Sequence, residues 1–120
     1  MDYKTKGVEG MSYNLNNADG VVNVSQQVIE VIAGVAVQET EGIAFTADDS
    51  KLQEKQMVKL VKVEDVGGEI TVSLSVHIKY GMSIIKTAGK VQERIAQDME
   101  NMLAFQPKAI NVRVIGLLKG

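Results

Sequence analysis

From Ile70 to Tyr80 the chain alternates without a break. Ile70, Val72, Leu74, Val76, Ile78 and Tyr80 fall on one parity, and Thr71, Ser73, Ser75, His77 and Lys79 on the other. Successive side chains of a strand point to opposite faces, so this stretch requires one buried face and one wet face. Gly81 stops the strand and Ser83 supplies an N-cap hydroxyl for a helix. Ile84, Ala88, Val91, Ile95, Met99 and Met102 then recur at spacings of three and four, which predicts a long helix with these residues facing the core. Pro107 ends the helical region, and alternation resumes at Ile110, Val112 and Val114. Strand, helix and strand in this order must share one core.

The upstream chain supplies the rest of that core. Gly20 to Val24 reads as a short β-branched strand, and Ser25 caps a first helix from Gln26 to about Thr40, with Gly42 placed to end it. Gly42 to Thr46 reads as another short strand, and Thr46 to Gln56 as a polar, flexible loop. Val58 to Val66 forms a hairpin with the alternating strand through Gly67-Gly68, since a tight primed turn needs positive φ at both central residues. A phase change near Leu60-Val61 predicts a bulge in the first arm. The expected order is β-α-β-β-β-α-β: an α+β two-layer sandwich, with a small mixed sheet covered on one face by two helices. Residues 1–17 read as a flexible tail and 18–120 as a single domain.

The first helix is more apolar than such a layer requires. Gln27, Glu30, Gly34 and Gln38 form one narrow polar stripe, while Val28, Ile29, Val31, Ile32, Ala33, Val35, Ala36 and Val37 cover the remaining circumference. The surplus predicts packing on the second helix, on another subunit, or on both. Val31 and Val35 are the positions expected at an interface.

Composition narrows the function classes. The net charge of -2 and the scarcity of aromatics (three Tyr, two Phe, no Trp) disfavour phosphate-backbone binding and base stacking. Without cysteine there is neither a disulfide framework nor a thiolate metal site, which suits a reducing compartment. The charged start at Met1-Asp2-Tyr3-Lys4 lacks the apolar run of a signal peptide, and no stretch is long and apolar enough to span a bilayer. The reading is a cytoplasmic chain.

No group of residues spells out covalent chemistry. His77 is the single histidine and has no partner with which to act as a general base, so it reads as a surface or edge residue. Asp48, Asp49 and Glu54 lack the spacing of a calcium loop and read as a solvated acidic loop. Ala88-Gly89-Lys90-Val91 lacks the upstream glycine and the following Ser or Thr of a phosphate loop, and Gly89 belongs inside a helix. Gly7-Val8-Glu9-Gly10 matches a KH-type GXXG, but in the tail rather than between helices. Lys86, Lys90 and Arg94 make a basic row on the second helix, diluted by Glu93, Asp98 and Glu100; it reads as a solvated face or a contact for an acidic partner or anionic headgroups. No catalytic, cofactor-binding or metal-binding residues are assigned.

The ordered combination of Gly20-Val-Val-Asn-Val-Ser25, Val28-Ile-Glu-Val-Ile-Ala-Gly34, Glu41-Gly42-Ile43, Tyr80-Gly81, Val91-Gln92 and Val112-Arg-Val-Ile-Gly116 resembles the alkaline shock protein family of Gram-positive bacteria, in particular its short members. The likeness spans about residues 20 to 118. The chain departs from it at Met102-Leu103-Ala104-Phe105, where the family often has a threonine-glycine pair. The resemblance implies a non-enzymatic protein of envelope stress response and homeostasis. It also implies self-association and membrane association through a membrane-anchored protein partner, without direct membrane insertion. Two other readings compete: a small KH-like nucleic-acid-binding module, and an enzyme that depends on His77.

Overall fold

The structure, a computed structural model, describes residues 12–17, 20–48 and 51–118. Its centre is the alternating strand, β5 (Glu69–Lys79), where Ile70, Val72, Leu74, Val76 and Ile78 are all buried as the parity predicts. Tyr80, expected on the same face, falls in the turn past the strand end and is exposed. A fully buried Val or Ile contributes roughly 1.5–3 kcal/mol relative to an exposed one, so this one strand face carries a large share of the fold's stability. Thr71, Ser73, Ser75 and His77 on the other face are half-buried at most.

β4 (Val61–Val66) pairs antiparallel with β5 through the Gly67-Gly68 turn, where both glycines have positive φ. β3 (Ile43–Ala44) pairs antiparallel with Ile78 and His77, farther along β5. β6 (Ala109–Leu118) runs parallel to β5 from Thr71 to Lys79, so β3 and β4 share one flank of β5 and β6 occupies the other. Parallel neighbours need a crossover, and helix α3 (Ile84–Leu103) provides it. Ahead of the sheet, β1 (Ser12–Asn17) and β2 (Gly20–Ser25) form a separate antiparallel hairpin that runs directly into helix α1 (Gln26–Glu39). Ser25 and Ser83 cap α1 and α3 as expected, their hydroxyls accepting from Val28 N and Lys86 N.

Both long helices close over the buried face of β5. Ile29, Ile32, Ala33, Ala36 and Val37 of α1 join Val91, Ile95 and Met99 of α3 in one hydrophobic cluster with the strand residues. The fold is therefore the expected mixed α+β arrangement, with two additions. Residues 12–17, expected within the tail, form β1 by pairing with β2, so the ordered chain starts earlier than Gly20; residues 1–11 lie outside the described residues. The second addition is a short helix, α2 (Glu54–Met57), in the segment expected to be a loop.

Three expectations shift for local reasons. Val58–Leu60 is a 3-10 turn continuing α2, so β4 begins at Val61 and the phase change at Leu60-Val61 is a turn end, not a bulge. The bulge falls in β6, where Ile115 is inserted between Val114, opposite Val76, and Gly116, opposite His77. The core stripe of α3 is Thr87, Val91, Ile95 and Met99; Ile84 and Met102 lie exposed at the two helix ends.

α3 ends at Ala104, which adopts the left-handed conformation (φ 58°) to cap the helix, its N–H reaching Glu100 O. This exposed position is where a glycine would sit without a Cβ penalty. Ala104→Gly is expected to stabilise the fold by about 0.5–1 kcal/mol, read as a higher urea midpoint at unchanged m.

Candidate interaction surface

Part of the polar stripe of α1 faces protein: Gly34 is buried and Gln38 half-buried, while Gln27 at the start is exposed. Gly34 lies under Met57 of α2, so close that a Cβ there would come within 3.1 Å of the Met57 Cβ and sulfur. One turn on, the Gln38 side chain accepts from Leu52 N (2.6 Å) and donates to Leu52 O (3.1 Å). Gln27 reaches Glu54 at the same side. A glycine and polar residues thus form the seat for the 51–57 segment.

What remains open on α1 is a valine strip. Val28 is exposed, while Val31 and Val35 are half-buried, with Val35 also packed on the core. Glu30, beside Val31, is half-buried and accepts from Gln26 Nε2 at 2.8 Å. Burial raises its pKa above the usual carboxylate value, and the Gln26 hydrogen bond offsets part of that rise.

The basic row on α3 divides. Lys86 and Lys90 are exposed, whereas Arg94 binds Asp98 on its own helix and Glu39 at the end of α1. The hydrogen bond to Asp98, then the Asp98 charge, with a smaller part from Glu39, raise the Arg94 pKa further above its ordinary value. Arg94 is therefore a clasp between the two helices, and the row offers an outside partner two lysines, not three cations.

His77 sits on the central strand, not at an edge. Its Nδ1 lies 3.2 Å from the Phe45 carbonyl, and a carbonyl can only accept, so Nδ1 carries the proton. The ring lies over Gly116, where a Cβ would fall 2.6 Å from Cδ2. This contact ties β3, β5 and β6 together on the outer face of the sheet. It also gives Gly116, the last residue of the Val112 to Gly116 run, a physical reason. Among the described residues no three His, Cys, Asp or Glu side chains gather as a metal site. Asp48 accepts from Thr46 and Glu54 from Gln27, and Asp49 lies outside the described residues.

Several apolar side chains are exposed at one end of the sheet: Tyr80 and Ile84, both expected on buried faces, and Ile85, Ile115 and Leu117, which the sequence pattern did not single out. Tyr80 N donates to Leu118 O, and Leu117 stands opposite Ile78, so the carboxyl ends of β5 and β6 and the start of α3 lie together. The Ile84-Ile85 doublet was the available signal, because a single helical stripe can take only one of two adjacent residues.

Fold and burial define a small α+β protein whose two long helices pack on one face of a mixed sheet. The chain belongs to the alkaline shock protein 23 family, described as having a cell envelope-related function, and matches that family's model over residues 5–118. It is 34% identical over 104 residues to the uncharacterized protein YqhY of Bacillus subtilis (strain 168), covering 82% of this chain and 77% of that protein. It is 26% identical over 112 residues to the uncharacterized protein Spy1614 of Streptococcus pyogenes serotype M6, covering 87% of this chain and 93% of that protein. Against YloU of B. subtilis, also uncharacterized, identity is 24% over 115 residues, covering 89% and 96%. No solved structure matches the chain significantly.

Two substitutions test the local reading. Gly116→Ala should displace His77 from the Phe45 carbonyl and destabilise the fold by about 1–3 kcal/mol through overpacking, visible in urea denaturation and in the imidazole NMR signals. Glu30 has a folded pKa above its unfolded one, so its ionised form opposes folding at neutral pH, and that cost fades as pH falls through the folded value. Glu30→Gln should therefore raise the melting temperature at about pH 7, with the gain shrinking toward about pH 4.

Proposed function

We propose that this protein is a non-enzymatic structural or adaptor component of cell-envelope stress response and homeostasis. It acts in the cytoplasm by associating with copies of itself and with a membrane-anchored protein partner. Membership of a family with a cell envelope-related function supports the setting. The observation that carries the mode of action is the valine strip Val28, Val31 and Val35, left open on a helix whose other sides are already packed on the core, α2 and α3. Apolar side chains aligned along one helix face gain from being covered by a like surface, and a two-fold pairing makes one strip complementary to itself. β6 adds a second route. It is an edge strand of 10 residues, and among the described residues only β5 pairs with it. Gln92 donates to the Ile110 carbonyl and so occupies part of that edge from α3.

Sedimentation velocity over a concentration series checks this reading. The unmodified chain should form dimers or larger species, and Val28→Lys with Val31→Lys should shift the assembly at least about tenfold toward monomer with the circular dichroism spectrum unchanged. A chain that stays monomeric at the highest concentrations would remove self-association from the proposal.

A further inference from the structure

The end of the molecule that carries Tyr80, Ile84, Ile85, Ile115 and Leu117 is also its basic end. From Ile70 to Gln92 the sequence has no Asp or Glu but has Lys79, Lys86 and Lys90, and from Asn101 to the C-terminus it again has no acid. All three lysines are exposed, and none pairs with a carboxylate among the described residues. The lysines at the other end of the sheet differ: Lys62 pairs with Glu64, and Lys108 with Glu69. Glu64, Asp65 and Glu69 cluster there around the β4–β5 turn. An acidic chain thus has its charge separated along β5.

The separation is long enough to matter. The 11 residues of β5 span roughly 36 Å at about 3.3 Å per residue, several times the screening length of about 8 Å at physiological salt. Carboxylates at the turn therefore do not oppose an anionic surface at the lysine end. Glu93 lies about 12 Å up α3 from Ile85 but only three residues from Lys90, so it dilutes the charge of that lysine while leaving Lys79 and Lys86. Glu41 is also nearby, next to Gly42, whose carbonyl accepts from Lys79 N.

We infer that this end docks on the surface of an anionic lipid bilayer, with Ile85 and Tyr80 entering the headgroup region and Lys79, Lys86 and Lys90 reaching phosphate oxygens. This goes beyond partner-mediated recruitment, since the chain itself makes the contact, without a spanning segment; no helix among the described residues is long and apolar enough to cross a membrane. The chemistry favours lipid over an acidic protein. Ile85 is 85% exposed and Tyr80 72% exposed, both flanking the tight turn between β5 and α3. Protein hot spots fill rigid pockets, whereas a bulky aliphatic side chain beside tyrosine and lysine suits an interface that yields around it.

Cosedimentation with vesicles of phosphatidylcholine, with and without phosphatidylglycerol, tests the inference. Binding is expected only to the phosphatidylglycerol vesicles, and it should fall sharply as salt rises from about 0.1 M to about 1 M and the screening length drops from about 10 to about 3 Å. Each of Lys79→Gln, Lys86→Gln and Lys90→Gln should weaken binding about fivefold, and Ile85→Ser about tenfold or more. Glu41→Gln should strengthen binding, whereas Glu64→Gln with Asp65→Asn should leave it unchanged. Equal binding to both vesicle types, no binding to either, or indifference to Ile85→Ser would overturn the inference. So would capture by an immobilised polyglutamate peptide in the absence of vesicle binding, which would assign the surface to an acidic protein. The Val28→Lys, Val31→Lys chain separates this contact from self-association: it should still bind phosphatidylglycerol vesicles.

Discussion

Everything in this fold depends on the buried parity of β5. β3, β4 and β6 all hydrogen-bond to that one strand, and both long helices close over its Ile70 to Ile78 face. The strand is covered on one face only, which is why its other parity can be Thr, Ser, Ser, His and Lys. Register is fixed by the same fact, because a slip of one residue would put Thr71, Ser73 and Ser75 under the helices and five aliphatic side chains in water. Glycines at Gly67, Gly68 and Gly81 bound the strand with positive φ, so its ends are set by backbone chemistry while its middle is set by burial.

Around that strand, polar residues serve as joints. Gln38 holds the 51–57 segment, Arg94 joins α3 to the end of α1, Gln92 joins α3 to β6, and His77 joins β5 to the Phe45 carbonyl over Gly116. Each of these side chains has hydrogen-bonding chemistry that could have been read as a site. Their partners are backbone groups or side chains of neighbouring elements, which makes them parts of the scaffold. Among the described residues, the surfaces left open include the valine strip on α1, the edge of β6, and the apolar, basic end of the sheet.

Much of the architecture was legible in the sequence because it rests on local periodicity: the parity of β5, the caps Ser25 and Ser83, the Gly67-Gly68 turn. What was not legible depended on tertiary partners. Ser12–Asn17 has little β-branched character and becomes a strand only by pairing with β2. Gly34 and Gln38 read only as part of a polar stripe, because nothing local announces that Leu52 and Met57 will dock on them. Val58 to Leu60 has strand-like composition but continues α2, whose start is capped by reciprocal hydrogen bonds between Gln53 and Gln56. Helix periodicity located the α3 stripe but not its limits, so Ile84 and Met102 were assigned to a core that ends before it reaches them.

The exposed residues at the carboxyl end of the sheet arise from the same geometry. A parallel pair joined by a helix brings the end of β5, the start of α3 and the end of β6 to one place, so side chains some thirty positions apart in the chain collect there. The bulge at Ile115 adds to this. It lets Gly116 come under His77 while leaving one aliphatic side chain outside the ladder, so the residue that accommodates the histidine and the residue that faces outward are consequences of one insertion. Scaffold and surface are coupled at this end. In an unbulged ladder Ile115, not Gly116, would stand opposite His77, and its side chain would take the space the imidazole occupies.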